Sequence, residues 1–200
     1  MFLIVLEGLD GVGKTTIASL IHQRYAELEI HAESISFPGR EPGTLGRLVY
    51  DVHHAPTDFM ENTPPPESIQ LLHLAAHIAT INNVILPLVG KGTIVILDRF
   101  WPSLYSYGLT SGGNPKAIEK MVEIEKLFIG NKLNILSFNI QRPNHLNPRL
   151  PDNHTDLVSH YEYAFNNLCD FPVVTIENTG SLDDVIEEIF SRCEDFRESR

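Results

Sequence analysis

Apolar residues follow two different periods along this chain. Short apolar runs predict buried strands at residues 2–6, 30–36, 93–97, 133–140 and 173–176. Between them, apolar residues recur at helical spacing and predict helices at residues 14–27, 45–54, 67–89, 116–128, 156–168 and 182–196. Strands that alternate with helices predict the α/β class, with a central parallel five-stranded sheet and helices on both of its faces, in three layers.

The helix predicted at residues 67–89 is apolar on nearly every face. Such a helix is usually buried, so we expect it in the core or against another subunit. Segments interrupted by glycine and proline predict loops at residues 37–44, 55–66, 100–113 and 141–156. The last of these loops holds three prolines and two arginines, and it is the candidate lid.

Length and composition indicate one soluble globular domain over residues 1–200, since 42% of the residues are hydrophobic and 20% are charged. A net charge of -11 at pH 7 argues against nucleic acid or an anionic membrane as a partner. Any phosphate site is therefore expected to be a local group of basic side chains. The first apolar run lacks the basic flank of a signal peptide, and no uninterrupted apolar run approaches the roughly 18 residues that span a bilayer.

The two cysteines, Cys169 and Cys193, show no C-x-x-C spacing. Both lie in segments predicted to be helical, so we expect buried, reduced thiols rather than a disulfide. Reduced thiols predict a cytoplasmic location, and a viral or organellar origin stays open.

The first predicted strand leads into residues 8–15, which match the pattern G-x-x-x-x-G-K-[ST], and a predicted helix follows. Glycines let backbone N–H groups approach phosphate oxygens, and the helix N-terminus favours an anion. Lys14 would neutralise charge between the β- and γ-phosphates, and the Thr15 hydroxyl would bind Mg²⁺. The alternative is a glycine-rich turn that binds nothing. The predicted ATP-binding residues are Gly8, Asp10, Gly11, Val12, Gly13, Lys14, Thr15 and Thr16.

Three predicted strands bring candidate side chains to one edge of the sheet. Ligands of parallel sheets lie beyond the carboxyl ends of the strands. The first strand ends at the phosphate loop, the second near Phe37 and Arg40, and the third at Asp98 and Arg99. This convergence predicts a phosphoryl-transfer site in a P-loop NTPase fold, with simple pairing of Arg99 to Asp98 as the alternative.

With those residues placed, the chain resembles the thymidylate kinase family of nucleoside monophosphate kinases over nearly its full length. Residues 2–16, residues 37–44 and the sequence Asp98-Arg99-Phe100 carry the resemblance. It implies transfer of the γ-phosphoryl group of ATP, with Mg²⁺, to the 5′-phosphate of a nucleoside monophosphate. The conversion of dTMP to dTDP is the first candidate, and the family favours a homodimer.

The resemblance also implies roles for individual residues. Asp10 would contact the acceptor sugar, Arg40 and Arg99 would hold the acceptor phosphate, and Asp98 would act on the magnesium shell through water, as Glu7 also would. Residues 178–181 would border the adenine. The implied catalytic residues are Lys14, Arg99, Arg149 and Arg142, and the implied acceptor-binding residues are Asp10, Phe37, Arg40, His73, His77, Arg99, Ser103 and Tyr107.

The chain departs from the family in two places. Family members usually carry an aromatic residue and, four positions later, an arginine against thymine, where this chain has His73 and His77. These histidines would read another base, fill the core, or bind zinc, for which no third ligand is evident. The candidate lid offers only Arg142 and Arg149, and surface ion pairing explains them equally well.

Two rival functions follow from these departures. A deoxynucleoside kinase would use Glu7 or Asp98 as a base, although two arginines favour a charged acceptor. A nucleotide-binding module without turnover would explain the sparse lid.

Overall fold

A computed structural model describes residues 2–55, 58–59, 62, 64–147, 149 and 152–199 of the chain, apart from the side chain of residue 131. Parts of the predicted loop 55–66 and of the predicted lid 141–156 lie outside the described residues. The predicted α/β fold is confirmed, because five parallel strands form one sheet in the order β2-β3-β1-β4-β5. The strands are β1 (Phe2–Glu7), β2 (Ala32–Ser36), β3 (Ile94–Asp98), β4 (Asn134–Gln141) and β5 (Val173–Glu177).

Helices cover both faces of this sheet in three layers. Their bounds are α1 (Lys14–Glu27), α2 (Leu45–His54), α3 (Pro66–Thr80), α4 (Leu86–Gly90), α5 (Trp101–Thr110), α6 (Pro115–Ile129), α7 (His154–Tyr163) and α8 (Leu182–Glu198). Helices α1 and α8 pack on one face, and helices α3 to α6 pack on the other. Successive side chains of β1 point to opposite faces of the sheet. Ile4 and Leu6 therefore pack in the core beneath α1 and α8, and Leu3 and Val5 pack in the core beneath α3 to α6.

The helix predicted at residues 67–89 is continuous but not uniform. A π-helical turn, Ile81–Ile85, joins α3 to α4. Pro87 follows in the first turn of α4, where its missing N–H removes a hydrogen bond to the preceding turn. By length and composition alone, Pro66–Gly90 could cross a membrane, but core helices pass the same test, and 39% of the tested window is buried within the protein.

The loop predicted at residues 100–113 is wrong, because residues 101–110 form α5. Pro102 lies in its first turn, where a proline is tolerated. The Glu7 carboxylate accepts hydrogen bonds from the backbone N–H groups of Phe100 and Ser103, at 2.7 and 3.3 Å. A carboxylate of β1 therefore accepts hydrogen bonds from backbone N–H groups at the start of α5.

Both cysteines are free, as predicted, but only Cys193 lies within a helix. Cys169 follows a π-helical turn, Ala164–Leu168, that continues α7. Burial raises the pKa of both thiols. The expectation that both cysteines are helical is therefore wrong for Cys169, while that of reduced thiols is confirmed.

Candidate active site

The phosphate-loop motif forms the turn between β1 and α1. Gly8, Gly11 and Gly13 have φ values of +131°, +80° and +103°, in the region that favours glycine. A Cβ atom at Gly8 would lie 2.3 Å from the carbonyl oxygen of Ile140. Helix α1 begins at Lys14, so the loop ends at a helix N-terminus, which suits an anion.

Lys14 folds back over this loop. Its side chain is buried, and Nζ donates hydrogen bonds to the carbonyl oxygens of Gly8 at 3.0 Å and Leu9 at 2.6 Å. Burial, together with the charge of Arg99, lowers the pKa of Lys14 to about 8 against the opposing effects of nearby carboxylates. An anion beside this ammonium group would offset the cost of burying its charge.

Thr15 and Asp98 bring two oxygen groups together at the start of α1. The Thr15 hydroxyl donates a 2.5 Å hydrogen bond to Oδ2 of Asp98, which lies at the end of β3. Hydroxyl and carboxylate oxygens are ligands that suit Mg²⁺. The pair therefore fits a magnesium ion bound between the loop and β3.

Arg99 follows Asp98 and has a φ of +79°, which is uncommon for a side chain with a Cβ atom and typical of strained functional positions. Its carboxylate partner is Asp10 of the phosphate loop, so simple pairing with Asp98 is wrong. Burial opposes the charge, but Tyr161, Tyr107 and Asp10 raise the pKa of Arg99. The guanidinium donates to the Asp10 carboxylate, the Gly8 carbonyl (3.2 Å), Ser103 Oγ (2.9 Å) and the hydroxyls of Tyr161 (3.0 Å) and Tyr107 (3.2 Å).

Asp10 is the other half of this pair. Burial raises its pKa, but the charges of Arg99 and Lys14 outweigh that effect, so the pKa of Asp10 is lowered. Its second carboxylate oxygen accepts a 3.0 Å hydrogen bond from the Tyr107 hydroxyl. The carboxylate therefore stays ionised and holds Arg99 at the loop.

The hydrogen bonds of Glu7 run to the start of α5, and its implied role at the magnesium shell stays a prediction. Its Oε1 accepts the two backbone N–H groups at the start of α5, and Oε2 accepts a 2.6 Å hydrogen bond from the Ser103 hydroxyl. Burial raises the pKa of the Glu7 carboxyl, while Arg99 and Ser103 act in the opposite direction. Glu7 thus fixes the helix that carries Ser103 and Tyr107.

A cavity of about 650 Å³ opens beside the loop, a size that suits a small molecule. The side chain of Arg40 enters it from the segment after β2, with its guanidinium carbon 4.9 Å from the centre of the Tyr50 ring. Nine predicted residues line this cavity together: Asp10, Phe37, Arg40, His73, His77, Arg99, Ser103, Tyr107 and Arg149.

The two histidines of α3 line the cavity together with Phe37, whose ring centre is 4.3 Å from that of His77. His77 Nδ1 lies 2.8 Å from Oε2 of Glu125, which α6 supplies and which is fully buried. Burial, with the charges of His77 and His53, lowers the pKa of His73 to about 3, so this imidazole is neutral near pH 7. The described residues contain no group of three or more His, Cys, Asp or Glu side chains arranged for a metal, which leaves the zinc alternative without a third ligand.

The two arginines of the candidate lid lie in different surroundings. Arg149 is exposed and borders both the cavity and the loop, since its Cβ would lie 2.9 Å from a Cβ on Gly11. Arg142 is half-buried just after β4, and its Nε has no hydrogen-bond partner within the described part of the chain. Its role stays a prediction, because it is not among the described residues that line the cavity.

Sequence reasoning missed three residues of this site. Glu125 lies on the apolar stripe of α6 with Ile118, Val122 and Ile129, and an acid in such a stripe is a usable signal. Tyr161 and Asn147 carry no such signal, because α7 and the segment after β4 bring them to the loop through tertiary contacts.

The fold and the loop between β1 and α1 define a P-loop kinase fold, with basic side chains from two further strand ends beside it. The family model of thymidylate kinase matches residues 6–123. This is more than half of the chain, so the chain belongs to the thymidylate kinase family.

Thymidylate kinases of individual organisms are also similar in sequence to this chain. The thymidylate kinase of Pseudomonas fluorescens (strain Pf0-1) is 31% identical over 128 residues, which are 64% of this chain and 58% of the relative. That of Xylella fastidiosa (strain Temecula1) is 32% identical over 111 residues, 55% of this chain and 49% of the relative. That of Nitrosospira multiformis is 34% identical over 126 residues, 61% and 56% of the two chains. The matches thus span about half to three fifths of the relatives' own length.

Proposed function

We propose that this protein transfers the γ-phosphoryl group of ATP to the 5′-phosphate of a nucleoside monophosphate, with dTMP as the first acceptor. The observation that carries the proposal is the cavity in which Arg40 and Arg99 lie beside the phosphate loop. One guanidinium group can donate to two phosphate oxygens at once, so two arginine side chains suit an acceptor that is already phosphorylated. In the reaction, an oxygen of the acceptor phosphate bonds to the γ-phosphorus as the bond to the β–γ bridging oxygen breaks, which leaves ADP.

The donor side uses the loop itself. Backbone N–H groups of the loop and of the first turn of α1 would bind the polyphosphate, and Lys14 would exchange its loop carbonyl partners for phosphate oxygens. Thr15 and Asp98 would hold Mg²⁺, which when bound supplies positive charge to the polyphosphate. Positioning and charge neutralisation carry the catalysis, and no covalent enzyme intermediate is needed.

The acceptor side uses the Arg99 network. Ser103, Tyr107 and Tyr161 fix the guanidinium, so its orientation is set before an acceptor phosphate arrives. Asp10, also held by Tyr107, would accept a hydrogen bond from a sugar hydroxyl. Arg149 borders the same space and would add charge during transfer.

The contacts of the acidic residues speak against a deoxynucleoside kinase. Such an enzyme needs a carboxylate base near an uncharged hydroxyl. Both oxygens of Glu7 accept hydrogen bonds from α5, and Asp98 accepts one from Thr15. The intact set of Lys14, Thr15 and Asp98 on the donor side, with Arg99 on the acceptor side, speaks against a module without turnover.

A nucleotide with a different base is the second candidate acceptor. It is favoured by the buried pair of His77 and Glu125, which puts an imidazole fixed by a carboxylate in the lining of the cavity. An assay of ADP release across thymine, cytosine, uracil and purine monophosphates, with their nucleosides, would identify the acceptor. If His77 contacts the base, His77→Arg changes the order of preference among the bases without changing KM for ATP.

The assignment of Arg99 has a direct kinetic test. We expect Arg99→Ala to raise KM for the monophosphate by about tenfold or more, and KM for ATP by less than about threefold, because a guanidinium–phosphate pair is lost on one side only. Arg24→Ala, at a half-buried arginine of α1 that pairs with Glu187, is the matched control. Equal changes in both KM values would contradict the assignment, and no turnover with any acceptor would contradict the proposed function.

We further propose a homodimeric, cytoplasmic protein whose ligands are small nucleotides rather than nucleic acid or membrane. The homodimer is supported by apolar side chains of α3 and α6 that are exposed to solvent, among them Leu71 and Leu127.

A further inference from the structure

Two asparagine side chains contact the phosphate loop from separate segments. Asn147 follows a short 3₁₀ turn, Asn144–Leu146, and its Nδ2 donates a 2.9 Å hydrogen bond to the carbonyl oxygen of Asp10. Asn178 follows β5, and its Nδ2 donates a 2.7 Å hydrogen bond to the carbonyl oxygen of Val12. Both lie beyond residues 6–123, the part of the chain that the family model matches.

These contacts determine where the loop directs its N–H groups. In a trans peptide, the C=O of one residue and the N–H of the next point in opposite directions. An amide that holds the Asp10 carbonyl therefore turns the N–H of Gly11 away from itself, and the contact at Val12 does the same for Gly13. Lys14 binds the carbonyls of Gly8 and Leu9, so the carbonyls of residues 8, 9, 10 and 12 all have identified donors.

The glycines of the loop make room for these amides. A Cβ atom at Gly11 would lie 2.2 Å from Oδ1 of Asn147, and one at Gly13 would lie 2.8 Å from Nδ2 of Asn178. Glycine is therefore required at both positions for the close approach of an asparagine, in addition to the positive φ values.

Asn147 makes a second contact with the opposite end of its amide. Its Oδ1 accepts a 3.0 Å hydrogen bond from the backbone N–H of Arg149, whose side chain lines the acceptor cavity. Asn147 is buried, so this one amide connects the phosphate loop to the chain that carries Arg149. Asn178 is fixed in turn by its backbone N–H, which donates to the carbonyl of Gln141 at the end of β4.

We propose that Asn147 and Asn178 are positioning residues that preorganise the phosphate loop for the donor polyphosphate, and that Asn147 also sets Arg149 beside the acceptor. The inference rests on the proposed function in one respect, since it takes ATP as the ligand of the loop. Preorganised N–H groups bind an anion without first reorienting, so their loss weakens binding and slows transfer.

The test separates the two bonds of Asn147 with an isosteric change. Asn147→Asp keeps an oxygen for the Arg149 N–H and loses the donor to the Asp10 carbonyl, whereas Asn147→Ala loses both. Asn144→Asp introduces the same charge at an exposed position of the same segment and is the matched control. Asn178→Ala removes the other donor, and Asn178→Ser restores a hydroxyl donor.

Calorimetric titration with Mg·ATP should show Kd raised about tenfold in Asn147→Asp and in Asn178→Ala, the equivalent of one lost hydrogen bond of about 1.4 kcal/mol. We expect less than a twofold change in Asn144→Asp and partial rescue in Asn178→Ser. In steady-state assays, Asn147→Ala should raise KM for both substrates, while Asn147→Asp raises KM for ATP alone.

The outcomes distinguish the two proposals. Wild-type protein that binds Mg·ATP, with Asn147→Asp and Asn178→Ala variants that bind equally well, overturns the positioning role and leaves the proposed function intact. Wild-type protein that binds no Mg·ATP at millimolar concentration overturns the proposed function instead. Thermal unfolding of each variant identifies a folding defect. If a variant is destabilised, the comparison of Asn178→Ser with Asn178→Ala decides the positioning role, because tighter Mg·ATP binding by the serine variant supports it and equal binding overturns it.

Discussion

Gly11 is required by two independent features of its position. Its φ is +80°, and Asn147 Oδ1 would lie 2.2 Å from an added Cβ. We expect Gly11→Ala to lower the free energy of unfolding by about 2–4 kcal/mol, because backbone strain and a steric clash add together. Urea denaturation measures this change.

Gly92→Ala is the matched control for Gly11→Ala. Gly92 has a φ of +88°, but nothing lies within 4 Å of its added Cβ, so this variant isolates backbone strain. We expect Gly92→Ala to lower the free energy of unfolding by about 1–2 kcal/mol. Equal losses at the two positions would show that the contact with Asn147 does not constrain Gly11.

The pKa of Lys14 predicts a proton linked to ATP binding. Burial lowers this pKa from 10.5 to about 8, so at pH 9 the free protein carries a mostly neutral Lys14. A polyphosphate favours the charged amine and raises its pKa, so binding at pH 9 should take up a substantial fraction of one proton. Near pH 6.5 the amine is already charged, and the uptake should be close to zero.

Calorimetry in buffers of different ionisation enthalpy measures this proton uptake. A heat of binding at pH 9 that does not depend on the buffer would contradict the prediction. The same shift in the pKa determines how the free energy of unfolding depends on pH. Between pH 8 and 10.5 the unfolded chain holds the Lys14 proton and the free folded protein does not. The contribution of Lys14 to the free energy of unfolding therefore rises with pH across this window.

At the scale of elements, hydrophobic periodicity predicted every described strand of the sheet and every described α-helix except α5, with one predicted segment covering both α3 and α4. It succeeded because these elements turn apolar side chains towards one of the two cores. Helix α5 was missed because residues 101–106 are all buried, polar ones included, so no polar face marks it. Its start also depends on Glu7 of β1, a contact that no local pattern contains.

The candidate site divides in the same way. The loop residues and the Asp98-Arg99 pair were predictable, because local spacing and strand ends place them. Tyr161 and Asn147 depend on which helices and loops pack together across the molecule, so the chain alone does not reveal them. Glu125 is different, because an acid in the apolar stripe of α6 is visible in the sequence.

The packing of α7 against α5 has a testable role through Tyr161. Its hydroxyl lies 3.0 Å from Arg99 Nη1 and 2.7 Å from Ser103 Oγ. We expect Tyr161→Phe to raise KM for the monophosphate about three- to tenfold, with KM for ATP unchanged, because Arg99 loses one of the groups that orient it. Tyr163→Phe, on the exposed side of the same helix, should change neither. A larger rise in KM for ATP than in KM for the monophosphate would contradict the role of Tyr161 in orienting Arg99.

At the scale of the whole molecule, the net charge is -11, while the site gathers basic side chains. Arg40, Arg99 and Arg149 line one cavity, and Lys14 lies at the adjacent loop. Anionic substrates are therefore attracted by a local field within a negative molecule. This arrangement agrees with a small nucleotide as ligand, since a nucleic acid would require basic charge over a wider surface.

The outer surface of the helical layer predicts self-association. Helices α3 and α6 pack together, and Leu71 of α3 and Leu127 of α6 are 51% and 79% exposed. Ile124 is also exposed and lies three positions before Leu127 and four before Phe128, which is exposed as well, so it neighbours both on α6. Burial of such side chains in a second copy removes apolar area from water, at about 25 cal/mol per Å². A subunit contact, as well as the core, would thus explain the apolar surface of the long helical segment.

We therefore expect the wild-type protein to be a dimer at micromolar concentration in light scattering coupled to size-exclusion chromatography. Leu127→Glu should shift it to monomer, because two copies of the carboxylate would be desolvated at an apolar contact. Leu28→Glu, at a leucine that is 50% exposed and follows α1 in the layer on the opposite face of the sheet, should stay dimeric. A monomeric wild type would contradict the proposed homodimer, and a dimeric Leu127→Glu variant would place the contact on another surface.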